Sequence, residues 1–179
     1  MAKLEVLSIN RVVAVDEVLS REFVVHRYYS AGDKDQLLRD VGPRIQALQG
    51  TGSSVVSSAL IDALPALKVI CLNGVGYDGI DMAAAKRRGI IVTNTPGMVD
   101  ACVADLAMGM MISFARQLPQ ADAFVRSGKW LQGPLPLARK VTGARLGILG
   151  LGNIGMSLAK RATGFDMKIG YHNRVCFFP

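Results

Sequence analysis

Three closely spaced glycines give the strongest indication of chemistry in the 179-residue sequence. Gly150, Gly152 and Gly155 form a G-x-G-x-x-G motif between the apolar run RLGILG and the helix-like run NIGMSLAKRAT. In such a motif the first glycine permits a tight turn, the second lets the backbone approach a pyrophosphate, and the third lets a helix pack closely on a strand. The motif predicts a dinucleotide site at a helix N-terminus. A glycine turn that binds no ligand is the alternative.

The second half of a dinucleotide site is expected at the end of the next strand, about 20 residues further on. There the sequence reads MKIGYHNR, which offers an amide and a guanidinium but no carboxylate to hold ribose hydroxyls. Because arginine suits a ribose 2′-phosphate, we predict NADP in preference to NAD. We assign Asn173 and Arg174 to the cofactor site, together with Asn153 and Ile154 of the glycine turn. The alternative for Arg174 is an ordinary surface arginine.

The net charge of +7 is concentrated in the second half of the chain. Residues 1–96 carry 11 Lys and Arg against 10 Asp and Glu, whereas residues 97–179 carry 10 against 4. The excess is scattered, and the one dense cluster, KRR at 86–88, is typical of the solvated end of a helix. Since no recognition motif accompanies the charge, we do not expect nucleic-acid binding. A basic nucleic-acid binder remains one alternative function.

The bulk composition predicts a globular protein, because half of the residues are apolar and a fifth are charged. The sequence has no run of 18 apolar residues and no signal-peptide pattern, so we expect no membrane partner and a cytoplasmic location. Cys71, Cys102 and Cys176 are widely spaced and match neither a disulfide framework nor a zinc site. We therefore expect buried, reduced thiols and no metal.

The first half of the chain alternates β-rich runs with helical ones. Strands are predicted over 6–10, 22–29, 54–59, 68–73 and 89–94, and helices over 34–49, 60–67 and 79–89. Strands separated by helices indicate β-α-β units and a parallel sheet covered on both faces. Pro96-Gly97 marks a boundary. We assign residues 1–96 to a substrate domain and residues 97–179 to a nucleotide-binding domain.

The second assigned domain opens with a long predicted helix, DACVADLAMGMMISFAR. Asp100 is the expected N-cap, and Arg116 suits the negative end of the helix dipole. The helix is apolar nearly all round, so we expect it to be buried on most faces. A second helix is predicted over 119–127. Earlier in the chain, Asp78 and Asp81 are expected to cap a helix rather than to act as paired catalytic carboxylates.

Three motifs, in this order, resemble the D-isomer-specific 2-hydroxyacid dehydrogenases, and within that family the glyoxylate/hydroxypyruvate reductases. They are LNGVGYDGIDMAAAKRRGIIVTNTPG, VADLAMGMMISFARQLPQADAFVRSGKW and GILGLGNIG, and the resemblance covers most of residues 50–174. It implies an α/β fold with a flavodoxin-like substrate domain and an NAD(P)-binding Rossmann domain, the latter only partial here. It also implies reduction of a small 2-oxo acid such as glyoxylate or hydroxypyruvate, and a homodimer formed through the long helix.

The resemblance places a substrate loop after the fourth predicted strand, where the backbone N–H groups of Val75 and Gly76 would bind the substrate carboxylate. A glycine-flanked turn after a strand can present two donors to an anion. Without the family pattern, the same residues would be read as an ordinary strand-to-helix turn. Thr51-Gly52 resembles another loop that faces the cleft.

The resemblance assigns no catalytic residue to this chain. The family uses an Arg to hold the substrate and a Glu-paired His to deliver the proton, all beyond the second nucleotide strand. Neither His26 nor His172 matches that position, so we expect weak cofactor binding and no measurable catalysis from the 179 residues alone. The ending VCFFP departs from the family, which suggests a frameshift, an early stop or a deliberate cut after Arg174. A non-catalytic regulatory relative that senses the dinucleotide is the alternative function.

Overall fold

The computed structural model of the chain describes residues 3–174, so Cys176 and the rest of the VCFFP ending lie outside the described residues. The chain divides into two compact units, the first ending at Pro96 and the second beginning at Gly97. Each unit is built around its own parallel sheet, one of five strands and one of two.

The first unit alternates strands and helices along the chain. Its elements are β1 (Glu5–Ser8), α1 (Val13–Glu22), β2 (Val24–Arg27), α2 (Lys34–Val41), β3 (Ile45–Thr51), α3 (Ser58–Asp62), β4 (Val69–Asn73), α4 (Met82–Arg87) and β5 (Ile91–Thr93). The five strands are all parallel and lie in the order β2-β1-β3-β4-β5. This is the flavodoxin-like order, and the predicted fold class is confirmed.

The core of the first unit lies on one face of this sheet. Leu7, Leu48 and Ile70 are aligned across the three central strands and are fully buried. Side chains alternate between the two faces of a strand, so the residues before and after each of these three in its strand point to the opposite face of the sheet. There Cys71 is exposed and Ile91 is 64% exposed. The prediction of a sheet covered on both faces is therefore wrong for this edge.

The expectation of buried cysteines is also wrong for the two that are described. Cys71 lies on the open sheet face and Cys102 on the surface of the long helix, and both are free thiols. The apolar character of cysteine alone therefore does not decide the burial of these two residues.

Two predicted elements of the first unit need correction. The helix predicted over 34–49 ends at Val41, and its second half is the central strand β3. The strand predicted over 54–59 does not form, because only Val56 pairs there, in an isolated bridge with Ile80, before α3 begins. Helix α1 was not predicted at all.

The second unit contains two adjoining helices and a β-α-β unit. Its elements are α5 (Asp100–Arg116), α6 (Leu118–Arg126), β6 (Arg145–Leu149), α7 (Asn153–Thr163) and β7 (Lys168–His172). Helix α7 packs on α5, where the Arg161 guanidinium pairs with Asp105 and reaches the Ala101 carbonyl. All five residues of β7 are exposed, as expected for a two-stranded sheet.

Helix α5 has the predicted bounds but not the predicted burial. Asp100 is its first residue, and the N-cap position belongs to Val99, which makes no side-chain cap. Only Ala104 and Met108 are buried. The other faces carry exposed apolar side chains, because α5 packs on a neighbouring helix along one side only.

In residues 3–174 no single helix is long and apolar enough to span a membrane. Helices α5 and α6 reach that length only together, across a 55° bend.

Candidate functional site

The glycine motif forms the turn from β6 into α7. Gly150 has φ +92°, in the region that side chains disfavour. A Cβ on Gly155 would lie 2.3 Å from the Gly150 carbonyl oxygen, so only glycine lets the helix approach the strand this closely. A Cβ on Gly152 would meet nothing within 4 Å, which leaves its surroundings open to a ligand. The three glycines thus have the three geometries that a pyrophosphate turn requires.

The N-terminus of α7 presents unpaired backbone donors next to this turn. The N-cap is Gly152, which has no side chain to accept a hydrogen bond. The Met156 N–H donates to the Gly152 carbonyl at 2.8 Å and closes the first helical turn. The N–H groups of the residues between them, Asn153, Ile154 and Gly155, therefore have no acceptor one turn back. Together with the helix dipole they favour an anion, so the turn fits a dinucleotide pyrophosphate.

The end of β7 lies against the glycine turn. The Gly150 N–H donates to the His172 carbonyl at 2.9 Å, and the Leu151 N–H donates to Asn173 Oδ1 at 3.2 Å. The Asn173 side chain thus holds the turn in place, a role that the sequence did not indicate. Arg174 is exposed at the same end, and residues 168–174 include no carboxylate. The residues predicted to bind cofactor are therefore brought together around one turn.

In the first unit, two loops meet at the carboxyl ends of β3 and β4. Gly74 has φ +149°, and a Cβ on it would lie 2.7 Å from the Gly52 nitrogen. A Cβ on Gly76 would lie 2.9 Å from the Gly52 carbonyl oxygen. The loops that the sequence singled out separately, Thr51-Gly52 and Val75-Gly76, therefore pack main chain against main chain.

The Val75 and Gly76 amides are free donors in this arrangement. Both residues are half-buried, and neither N–H donates a hydrogen bond to any residue in the described part of the chain. Half-buried donors that lack a protein partner are suited to water or to an anionic ligand. Adjacent main-chain N–H groups in a turn are a common way to bind a small carboxylate.

A buried polar network supports the first of these loops, and the sequence analysis missed it. The Ser8 hydroxyl bonds to the Gln49 side chain, while the Ser54 hydroxyl bonds to the Asn10 side chain and accepts from the Thr51 N–H at 2.6 Å. Ser8, Gln49 and Ser54 are all buried. Glutamine inside an apolar strand was the available signal, since a buried amide needs partners.

His26 belongs to a different cluster, near the start of β1. Its Nε2 lies 2.7 Å from Glu5 Oε2, and the Arg44 guanidinium donates to Glu5 Oε1 at 2.7 Å. The Arg44 hydrogen bond, with a smaller contribution from His26, lowers the pKa of the Glu5 carboxyl against an opposing effect of burial. These contacts give His26 a structural role.

Within residues 3–174, no group of three or more His, Cys, Asp or Glu side chains could hold a metal ion.

The sequence profile of the D-isomer specific 2-hydroxyacid dehydrogenase catalytic domain matches residues 8–173. The chain belongs to this family. The match includes both glycine-rich loops and every strand but the first few residues of β1. The family and fold predicted from the sequence are confirmed.

Relatives within the dehydrogenase family include several reductases of small 2-oxo acids. Glyoxylate/hydroxypyruvate reductase A of Arabidopsis thaliana is 39% identical over 161 residues, 90% of this chain and 51% of the relative. The 2-hydroxyacid dehydrogenase structure from Ketogulonicigenium vulgare Y25 matches with TM-score 0.93 and 45% identity, over 99% of this chain and 56% of that one.

A third relative was solved with ligands. The NADPH-dependent glyoxylate/hydroxypyruvate reductase of Sinorhizobium meliloti, in complex with NADP and malonate, matches with TM-score 0.84 and 33% identity over 98% of this chain and 55% of that one. The chain spans about half the length of the relatives it matches. The individual substrate and cofactor residues assigned from the sequence remain predictions.

Proposed function

We propose that this chain carries the substrate-carboxylate loop and the pyrophosphate turn of a reductase that converts glyoxylate or hydroxypyruvate to the 2-hydroxy acid. The observation that carries the proposal is the pair of unpartnered N–H groups at Val75 and Gly76, fixed by close backbone packing against Gly52. A small 2-oxo acid offers one carboxylate to such a pair. The names of the reductase relatives support the same substrate class.

In this proposal each of the two units binds a different reactant. The first unit binds and orients the acid through main-chain donors, and the second holds the dinucleotide at Gly150, Gly152 and Gly155. A bound nicotinamide dinucleotide supplies the hydride. The 179 residues do not include the Arg, Glu and His that the family resemblance assigns to later sequence, so we expect binding of the acid, weak binding of the dinucleotide and no turnover.

The direct test is to measure binding and turnover on the same purified 179-residue chain. Glyoxylate should shift the amide resonances of Val75 and Gly76 in an NMR titration, while NADPH oxidation by hydroxypyruvate should stay at the background rate. Unmoved resonances at high glyoxylate would refute the substrate proposal, and measurable turnover would refute the expected inactivity. Tight NADPH binding without turnover would favour the dinucleotide-sensing alternative.

We further propose that NADPH is preferred over NADH. The support is the exposed Arg174 beside the glycine turn, at a strand end without a carboxylate. Replacing Arg174→Ala should weaken NADPH binding about tenfold, the value of one charge-assisted contact, and leave NADH binding unchanged. Calorimetry with both dinucleotides measures this. Equal losses for both would show that Arg174 does not contact a 2′-phosphate.

Self-association through α5 is the final part of the proposal. Leu106, Met110 and Phe114 are 64%, 63% and 87% exposed at four-residue spacing, so they form one apolar stripe on the helix. Such stripes mark interaction surfaces. Sedimentation should show a dimer that Leu106→Asp dissociates. Val18→Asp, on the exposed apolar surface of α1, is the matched control and should leave the dimer intact.

A further inference from the structure

The residues directly after β5 donate hydrogen bonds to two consecutive carbonyl groups of the substrate loop. The Asn94 side-chain amide donates to the Val75 carbonyl at 2.8 Å, and the Thr95 N–H donates to the Gly74 carbonyl at 2.9 Å. Neither residue was singled out by the sequence. Their two hydrogen bonds engage consecutive peptide groups of the loop, from the same side.

These bonds fix the direction of the two free donors. In a trans peptide the carbonyl and the N–H point opposite ways, and residues 3–174 contain no cis peptide. The Gly74 carbonyl shares its peptide with the Val75 N–H, and the Val75 carbonyl shares its peptide with the Gly76 N–H. Holding both carbonyls toward the end of β5 therefore turns both N–H groups away from it.

The lack of a side chain on Gly52 keeps the Gly76 donor open on the opposite side. A Cβ placed on Gly52 would lie 3.1 Å from the Gly76 nitrogen, so the absent side chain keeps that N–H accessible. The loop itself is flanked by glycines, which rotate easily when unrestrained. A hydrogen bond to a carbonyl also polarises its peptide, which strengthens the N–H on the far side as a donor.

We propose that Asn94 is a positioning residue for substrate binding. Its side-chain amide aims the Gly76 N–H at the substrate carboxylate, and the Thr95 N–H aims the Val75 N–H in the same way. The inference rests on the proposed function of the loop, because it concerns how strongly that loop holds a small carboxylate. Asn94 itself does not touch the acid.

The test compares glyoxylate binding by the wild-type chain and by variants, using the NMR amide shifts of Val75 and Gly76. Asn94→Leu removes the donor at similar volume and should weaken binding about tenfold, the usual worth of one such hydrogen bond. Thr93→Val is the matched control, one residue earlier on an exposed site, and should bind like the wild type.

Asn94→Asp gives a readout that a merely structural role would not move. At neutral pH the ionised carboxylate has no donor for the Val75 carbonyl, so binding should be at least as weak as in Asn94→Leu. Lowering the pH protonates the introduced side-chain carboxylate and so restores an O–H donor for the Val75 carbonyl. Binding should then recover toward the wild-type affinity, while the wild-type affinity stays level over the same range.

The outcomes separate this inference from the proposed function. If glyoxylate does not move Val75 and Gly76 in the wild-type chain, the proposed function fails. If the wild type binds and both Asn94 variants bind equally well at all pH values, the positioning role is overturned and the proposed function stands. If Asn94→Leu does not fold, the pH series of Asn94→Asp decides.

Discussion

The Ser8 hydroxyl donates a 2.7 Å hydrogen bond to Gln49 Oε1, and both side chains are buried. The bond joins β1 to β3 between residues 41 positions apart in the chain. The Gln49 amide then donates to the Gly50 carbonyl at 3.1 Å, so the pair supports the strand end from which the Thr51-Gly52 loop departs. The geometry of the Thr51-Gly52 loop and the stability of the core are thus linked at this point.

Ser8→Ala should lower the free energy of unfolding by about 1–3 kcal/mol, because it leaves the buried Gln49 oxygen without its donor. Gln49→Leu should cost a similar amount. The double variant should cost less than the two single variants together, since each removes the same interaction. Urea unfolding of all four proteins measures the coupling. Additive losses would show that the two side chains do not act as a pair.

Gly152→Ala and Gly155→Ala should separate cofactor binding from folding. The added methyl at position 155 meets the Gly150 carbonyl, so this variant should lose about 1–3 kcal/mol of stability. The methyl at position 152 meets no protein atom, so stability should hold while NADPH affinity falls. Thermal unfolding and dinucleotide titration check both. Unchanged NADPH binding by Gly152→Ala would place the pyrophosphate elsewhere.

Arg88 should contribute to stability, although the KRR cluster that contains it was predicted to be merely solvated. Its guanidinium donates to the carbonyls of Ile61, Leu64 and Pro65 at the end of α3. Arg88→Ala should therefore destabilise the chain by about 1.5–3 kcal/mol, as expected for hydrogen bonds from a charged donor. Arg87→Ala, its exposed neighbour, should change stability by less than about 0.5 kcal/mol. Equal effects of the two substitutions would contradict this assignment.

The Glu5 cluster should make stability depend on acid pH. Because Arg44 and His26 lower the pKa of Glu5 in the folded chain, the carboxylate stabilises the fold above its ordinary pKa of 4.5. That contribution should decline as the pH falls below 4.5 and through the lowered pKa. Glu5→Gln should remove this component, at a cost of less than about 1 kcal/mol at neutral pH because Arg44 is largely exposed. Urea unfolding at a series of pH values measures it; identical profiles for both proteins would refute the linkage.

The fold class and the glycine turns were predictable because local chemistry decides them. Alternating strands and helices indicate parallel β-α-β units, and helix α5 follows from a run rich in Ala, Leu and Met that ends at Arg116. Asp81 caps α4 as predicted, by accepting from the Ala84 N–H at 2.9 Å, whereas Asp78 takes no such part. Each of these depends on neighbours within a few residues.

The elements that were predicted wrongly depend on distant contacts. Strand β3 follows Gly42-Pro43, a pair that breaks helices, but its spacing of apolar residues also fits a helix. Only pairing with β1 and β4 decides between them. The burial of Gln49 and the hydrogen bond from Asn94 to the Val75 carbonyl likewise depend on residues that the sheet brings close together, so neither could be predicted from spacing along the chain.

The main-chain contact of Gly52 with Gly74 and Gly76 separates two properties of the proposed substrate site. Under the proposed function, the acid group is recognised by backbone atoms, which every amino acid shares, while the side chains of Thr51, Ser53 and Tyr77 beside these glycines can vary. Substitutions at those three positions can reshape the space around the rest of a substrate without loosening its carboxylate. Changes of substrate preference within this scaffold can therefore accumulate one side chain at a time.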